Sequence, residues 1–288
     1  MKLCLREKEL IFNKTYVMGI LNVTPDSFYD GGKFFSFDAA INHAKKIIND
    51  GADIIDVGGE STRPGSKRVT ADEEVNRIIP VIDAIRKYNN EILISVDTYK
   101  SEVAKEAIEH GADIVNDISG GMFDENILKI VAKYNAGFVI MHIQGTPESM
   151  QINPVYSENG VVNDIINYFK QRISVAVNYG ISINRIILDP GIGFGKTFEH
   201  NLEILNGLDK FGQFNLPILI GTSRKSFIGK ILNTEPENRL YGTIASVVLG
   251  IAKGANIVRV HDVKEIKDAV LVADAILKNN NYEKVAEK

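Results

Sequence analysis

Three short stretches of this chain repeat one pattern, and that repeat narrows the fold more than any other feature. Gly51-Ala52-Asp53-Ile54-Ile55-Asp56, Gly111-Ala112-Asp113-Ile114-Val115-Asn116 and Gly254-Ala255-Asn256-Ile257-Val258-Arg259 each open on a glycine. Such a glycine can end a helix in the left-handed conformation, and the β-branched run behind it is too short for a helix. The spacings, from position 51 to 111 and from 111 to 254, suit two and four helix–strand units of about 30–36 residues in an eightfold barrel. Each run ends on a polar or charged residue. In a barrel of this kind polar strand ends mark the catalytic mouth, because the apolar middles of the strands fill the core. Ordinary connections in any parallel sheet would explain one copy; three copies with polar ends point to one shared site.

Read in order, the remaining strands are expected at 16–21 before Asn22, 91–96 before Asp97, 137–141 before His142, 185–188 before Asp189, and 216–220 before Gly221. Helices are expected at 36–49, 101–110, 125–135, 161–178 and 264–277, with another opened by Ser223. Thr70 and Glu73 read as a capping box for a helix whose apolar face includes Val75, Ile78, Ile82 and Ile85, and Pro80 should kink it. Turn-rich, aperiodic stretches at 24–32 and 58–66 read as mobile loops. The whole is expected to be a single-domain (β/α)8 TIM barrel over 1–288, with 1–15 as an amino-terminal extension and 279–288 as a frayed polar tail.

Composition removes some partners. A net charge of −4 gives no electrostatic footprint for nucleic acid, so an anionic ligand must be held by local charge. The one cysteine, Cys4, excludes an internal disulfide, and no Cys/His spacing reads as a zinc site. Residues 1–15 lack a signal-peptide core, and the most apolar stretch, 242–252, is too short to span a bilayer. A cytoplasmic protein with neither nucleic-acid nor membrane partners is expected.

The strand ends collect Asn22, Asp56, Asp97, Asn116, His142, Asp189, Arg259 and His261, joined by Arg63 and Lys225 from loops. Amides and carboxylates present planar hydrogen-bonding groups that suit a flat heterocycle bearing N–H donors. Arg259, His261, Arg63 and Asn22 could hold a polyanion such as diphosphate, with or without Mg²⁺. A carboxylate at a strand end often caps the next helix instead, a role that suits Asp56 better than Asp97. His142 reads either as a wall against a flat ring or as a satisfied core histidine. His43, His110 and His200 read as surface residues. Gly191-Ile-Gly193-Phe-Gly195-Lys196-Thr197 imitates a phosphate loop, but Pro190 stands where the Walker pattern needs glycine. These glycines are expected to let the backbone pass close to a flat ligand. Ser223-Arg224-Lys225-Ser226 at a helix start favours a carboxylate or phosphate, although an N-cap would explain Ser223 alone.

Several of these motifs resemble dihydropteroate synthase. They are Met18-Gly-Ile-Leu-Asn22-Val-Thr-Pro-Asp-Ser27-Phe28, Gly59-Glu-Ser-Thr62-Arg63-Pro64-Gly65, Asp189-Pro-Gly-Ile-Gly-Phe194-Gly-Lys, Ser223-Arg-Lys225-Ser226-Phe227 and Val258-Arg259-Val-His261. The resemblance runs from about Tyr16 to Leu277. It implies a pterin-binding barrel, Mg²⁺ and a homodimer. The implied reaction, in folate synthesis, joins 6-hydroxymethyl-7,8-dihydropterin diphosphate to 4-aminobenzoate, giving 7,8-dihydropteroate and diphosphate. It also implies that Asp97, Asn116, Met141, Asp189, Gly221 and Lys225 bind the pterin, with Asp97, Lys225, Arg259 and His261 catalytic. Asn22, Thr62, Arg63, Arg259 and His261 would hold the diphosphate, Asn22 also meeting the metal. Phe28, Thr62, Arg63, Pro64, Phe194 and Ser226 would receive 4-aminobenzoate. Tyr29, where many relatives carry a small residue, departs slightly from the pattern. A pterin-barrel methyltransferase would share Asp97, Asn116 and Asp189 but has no use for Arg63, the Ser223–Ser226 stretch or an Arg259–His261 anion site. A non-catalytic pterin-binding subunit should have lost Lys225, Arg259 or the loops.

Overall fold

The structure, a computed structural model, describes residues 1–24, 33–61 and 68–278, the side chains of 33–36 excepted. The repeated glycines do what their pattern predicts. Gly51, Gly111 and Gly254 have φ of 95°, 110° and 101°, ending their helices where a side chain would be strained. The third residue of each repeat has a job of its own, which is to accept a backbone N–H from the strand preceding it in the chain. Asp53 Oδ2 takes Val17 N at 2.9 Å, Asp113 Oδ2 takes Ile94 N at 3.0 Å, and Asn256 Oδ1 takes Ile218 N at 2.9 Å. Each repeat therefore locks its strand at the start and offers a polar group at the end.

In chain order the elements are β1 (Lys2–Leu5), β2 (Lys8–Ile11), β3 (Tyr16–Asn22), α1 (Lys33–Asn49), β4 (Ile54–Gly58), α2 (Ala71–Tyr88), β5 (Leu93–Asp97), α3 (Ser101–Glu109), β6 (Ile114–Asp117), α4 (Asn126–Tyr134), β7 (Gly137–Met141), α5 (Val161–Asn178), β8 (Ile186–Asp189), α6 (Phe198–Asn206), β9 (Leu219–Ile220), α7 (Ser226–Leu232), α8 (Leu240–Ala252), β10 (Ile257–Val260) and α9 (Val263–Lys278). Strands β3 to β10 form a parallel sheet in the order β8-β7-β6-β5-β4-β3-β10-β9. A single bridge, Leu188 to Ile218, joins its edges, with Leu188 N donating to Pro217 O at 2.9 Å. The (β/α)8 barrel is thus closed by a thin seam.

The differences from expectation have local causes. β5 starts at Leu93 because Asn89 Oδ1 takes the N–H groups of both Glu91 and Ile92. β9 is short because Pro217 has no N–H and the N–H of Ile218 goes to the Asn256 side chain. Thr70 does cap α2 through Glu73 N, but the Glu73 carboxylate pairs with Arg77, so only half the capping box forms. α2 runs unbroken through Pro80, which is exposed, as is Asn76, whose carbonyl lacks the helical N–H that Pro80 cannot give. Helix α6 was not expected. Its capping box pairs Thr197 with a histidine, His200, in place of the usual acid or amide. Two helices, α7 and α8, stand where Ser223 was expected to open one.

One apolar layer lies between the strands and the helices; a second fills the lower barrel. There Met18, Ile54, Leu93, Ile114, Val139, Ile187, Leu219 and Ile257 pack with Leu3, Leu5 and Leu10 of the β1–β2 hairpin. The stretch read as an extension therefore plugs the floor. A Cβ on Gly137 would fall 2.3 Å from Leu5 Cδ2, so this glycine makes room for the plug. Nearby Asp274 of α9 accepts from Thr15 N at 2.5 Å and from Thr15 Oγ1 at 2.7 Å. Side chains alternate along a strand, so the next inward position is two residues on. Those positions hold Ile20, Asp56, Ser95, Asn116, Met141, Asp189, Gly221 and Arg259, so five of the eight strands turn polar within one step.

Candidate active site

Register places four strand positions at the mouth in one row. Asn22 lies opposite Gly58, Gly58 opposite Asp97, and Asp97 opposite Asn116. A Cβ on Gly58 would sit 3.4 Å from Asp97 Cβ and 3.8 Å from Asn22 Oδ1, so the glycine opens the wall between those groups. Further round, Met141 lies opposite Asp189.

Across the barrel Arg259 reaches two carboxylates. Its Nε donates to Asp56 Oδ2 at 2.6 Å and its Nη2 to Asp97 Oδ2 at 2.6 Å. Asn116 Nδ2 donates to the same Asp56 oxygen at 3.2 Å, linking Asn116, Asp56, Arg259 and Asp97 in one chain. Asp56 Oδ1 and Ser95 Oγ are buried with no hydrogen-bond partner among the described residues. Burial opposes the charge on Arg259, but Asp56 and Asp97 outweigh it and hold the guanidinium firmly protonated. Burial also pushes Asp97 up to about 7, with Asp56 adding to the rise and Arg259 pulling against it. Asp189 is pushed up to about 6 by burial, opposed by the Gly191 N–H and by Lys225, Lys196 and Arg259. These are buried carboxylates with too few donors, the environment that favours a ligand bringing N–H groups.

Loops complete the mouth. Gly191 N donates to Asp189 Oδ1 at 2.7 Å, fixing one oxygen. Lys225, the N-cap of α7, sets its ammonium 4.3 Å above the Phe194 ring. Phe194 and Met141 share a small apolar cluster with Ile118, Ile143 and Met150. Ser223 Oγ accepts from His261 N at 3.2 Å and lies 3.0 Å from His261 Nδ1. Arg224 grips Asp262 with two hydrogen bonds, at 2.9 and 2.5 Å. These ties hold the loop carrying Lys225 against the one carrying His261.

A flat site walled by amides and carboxylates, with two cations at its rim, finds its counterpart among known proteins. Residues 18–261 match the family model described as pterin binding enzyme. The chain is 48% identical over 269 residues to the dihydropteroate synthase of Clostridium beijerinckii, covering 93% of this chain and 96% of that protein. The crystal structure of Yersinia pestis dihydropteroate synthase with a sulfonamide drug complex superposes with a TM-score of 0.89 at 42% identity, covering 96% and 99% of the two chains. That of the Xanthomonas albilineans enzyme with 4-aminobenzoic acid also gives 0.89, at 37% identity, covering 96% and 97%. The chain belongs to the dihydropteroate synthases. As in any member of the dihydropteroate synthase family, it is the placement of individual side chains that decides how the barrel works.

Asn22, Asp97, Asn116, Met141, Asp189, Gly221, Lys225, Arg259 and His261 all sit on strands or loop starts at the mouth, and Ser226 opens α7. Phe28, Thr62, Arg63 and Pro64 lie outside the described residues, as do most of the two loops expected around them. Asp56 caps no helix; it is fully buried inside the barrel and ties Arg259 to Asn116. Its inward parity, shared with Ile54 and Gly58, was the signal for that. Ser223 is not an N-cap either, since its hydroxyl serves His261. His142 is a satisfied core histidine, bonded to buried Lys196 and edge-on to Tyr168. Of the glycines expected to approach a ligand, Gly191 and Gly195 instead pass against the backbone of His142 and Gln144, at 2.0 and 2.5 Å from the Cβ each lacks. Only Gly193 faces a candidate site residue, Lys225.

Proposed function

We propose that the residues at this mouth carry the dihydropteroate synthase reaction in the following way. The pterin lies flat across the upper barrel, its N–H groups donating to Asp189, Asp97 and the Asn116 amide oxygen, with Lys225 donating to its ring oxygen. The observation that supports this best is the under-donated state of Asp97 and Asp189, buried yet holding raised proton affinities. Arg259 rests between Asp56 and Asp97. When pterin N–H groups satisfy Asp97, its Nη2 is freed for the diphosphate, which His261 and Asn22 also meet. Asp56 keeps its hold on Nε, so the guanidinium swings about a fixed end.

The departing diphosphate breaks the C–O bond first, leaving a cation on the pterin methylene that ionised Asp97 stabilises. The weakly basic amine of 4-aminobenzoate then adds to that carbon and gives up one N–H proton to water or the departing diphosphate, with Phe194 against its ring and its carboxylate at Ser226. Phe28, Thr62, Arg63 and Pro64 belong to the same aminobenzoate reading, with Thr62 and Arg63 also meeting the diphosphate.

Among the described residues no group of three His, Cys, Asp or Glu side chains could cage a metal. Mg²⁺ that keeps its waters and binds mainly through substrate phosphates needs only one or two protein oxygens, and the Asn22 amide suits that mode. Asn22 would hold the ion, which when bound supplies charge neutralisation to the leaving group. A homodimer fits the exposed apolar faces of α8, with Tyr241 and Leu249, and of α9, with Val272 and Ile276. A cytoplasmic location belongs to the same reading; among the described residues no helix is long and apolar enough to cross a membrane.

Incubation with pterin diphosphate, Mg²⁺ and 4-aminobenzoate should yield dihydropteroate. Arg259→Ala should weaken the diphosphate substrate by about 1.5–3 kcal/mol more than it weakens a pterin without diphosphate. Equal weakening of both by calorimetry would remove Arg259 from the anion site.

A further inference from the structure

Lys196 is buried beneath the turn that follows β8, and its amine meets three acceptors. They are Phe194 O at 2.8 Å, His142 Nδ1 at 3.0 Å and His142 O at 3.2 Å. The amine thus has a polar partner in each of three directions. None of these partners is a carboxylate. Burial pushes the amine well below the ordinary lysine range, and burial likewise pushes His142 down, which keeps Nδ1 available as an acceptor.

A buried lysine without a carboxylate partner is costly, and methionine would fill the same space without that cost. What the amine secures is a grip on two sides of the site. His142 directly follows Met141 at the end of β7, and its carbonyl touches the turn so closely that a Cβ on Gly191 would lie 2.0 Å away. The same absent Cβ would lie 3.3 Å from Lys196 Nζ. Gly191 holds Asp189, while Phe194, whose carbonyl Lys196 grips, carries the ring beneath Lys225. Tyr156 adds a second tie by donating to Gly195 O at 2.7 Å.

We propose that Lys196, with His142 as its acceptor, is a positioning residue that pins the 190–196 turn to the end of β7 and so sets the Phe194 ring for 4-aminobenzoate. This rests on the assignment of Phe194 to the aminobenzoate pocket given above. The test is steady-state kinetics of the full chain with both substrates, beside calorimetry with a bare pterin. Lys196→Met should raise KM for 4-aminobenzoate about tenfold or more, because a small displacement of a positioning group is amplified in the reaction. Bare-pterin affinity should change several-fold less than the aminobenzoate KM, since the Asp189–Gly191 bond does not involve the amine. His142→Leu should reproduce the KM effect, whereas His142→Asn, whose Oδ1 can stand near the place of Nδ1, should restore it. The histidine pair decides the matter even if Lys196→Met does not fold. An unchanged aminobenzoate KM in folded Lys196→Met or in His142→Leu overturns the pin. Equal losses for both ligands together with a lowered melting temperature reduce Lys196 to a structural part and overturn it too. An unchanged KM in Phe194→Ala instead overturns the pocket assignment, and the pin's stated purpose falls with it.

Discussion

The two ends of the barrel use the same residue type for opposite purposes. At the floor, Asp53 accepts from Lys14, Lys267 and the Val17 N–H, and Asp113 from Arg86 and the Ile94 N–H. Burial favours the neutral form of Asp53, yet Lys14, Val17 and Lys267 together hold it below the usual carboxylate range. At the mouth, Asp97 has one cation shared with Asp56, and burial wins. A carboxylate with all its donors in the protein belongs to the fold, and one left short is available to a substrate. One repeat shows both kinds three residues apart: Asp53 has its donors, whereas Asp56 keeps one buried oxygen with no hydrogen-bond partner among the described residues.

The largest expected break in that contrast is at the floor. Asp113→Ala strands Arg86 and the Ile94 N–H in a buried place, and should destabilise the chain by about 3–5 kcal/mol in denaturant unfolding. Activity per folded molecule should stay within about twofold. A large loss of turnover in the folded variant would mean that floor and mouth are not separable. Asp189→Asn should do the reverse. An amide turns one acceptor toward pterin N–H groups into a donor, weakening a bare pterin by about 1.5–3 kcal/mol by calorimetry. The melting temperature should hold or rise, because ionising Asp189 in the free protein is unfavourable.

How far this contrast could be read from sequence depended on the length of chain involved. Gly51, Gly111 and Gly254 announce their helix ends within a few residues, and so did the strands behind them. The polar mouth was legible as strand ends in a known kind of barrel. The links that define it were not, because Arg259 meets Asp56 and Asp97 across separations of 203 and 162 residues. Asp56 was misread as a cap because only the barrel's parity, not its neighbours in sequence, aims it inward. The floor roles of Asp53 and Asp113 were missed for the same reason, as was the plug formed by Leu3, Leu5 and Leu10. Phe28, Thr62, Arg63 and Pro64 rest on the family motif.

The smallest expected effect sharpens the contrast through pH. Between about pH 4 and 7 folded Asp97 keeps a proton that the unfolded chain has lost, so its contribution to stability falls as pH rises through that window. Asp53, held low, contributes stability that disappears only as pH drops below the ordinary carboxylate range. A pterin that needs ionised Asp97 must displace the proton. Its affinity should therefore fall by about tenfold from pH 8 to pH 6, with proton release seen by calorimetry in two buffers. Asp97→Asn should flatten that dependence, while a floor variant such as Asp53→Asn should leave it intact. A profile unaltered in Asp97→Asn would assign the titration to another group.

The joint between Thr15 and Asp274 sets a clock on the birth of the molecule. β3 is among the first strands to leave a ribosome, yet its partner β10 and the helix that carries Asp274 come last. At about 5–20 residues per second, some 240 residues of synthesis leave that edge unpaired for on the order of ten to fifty seconds. An unpaired parallel edge is a template for other chains. The nascent protein thus passes through a long interval in which the outer edge of β3 is available to strangers; the arrival of β10 ends it, and α9 then adds the Asp274 joint to Thr15.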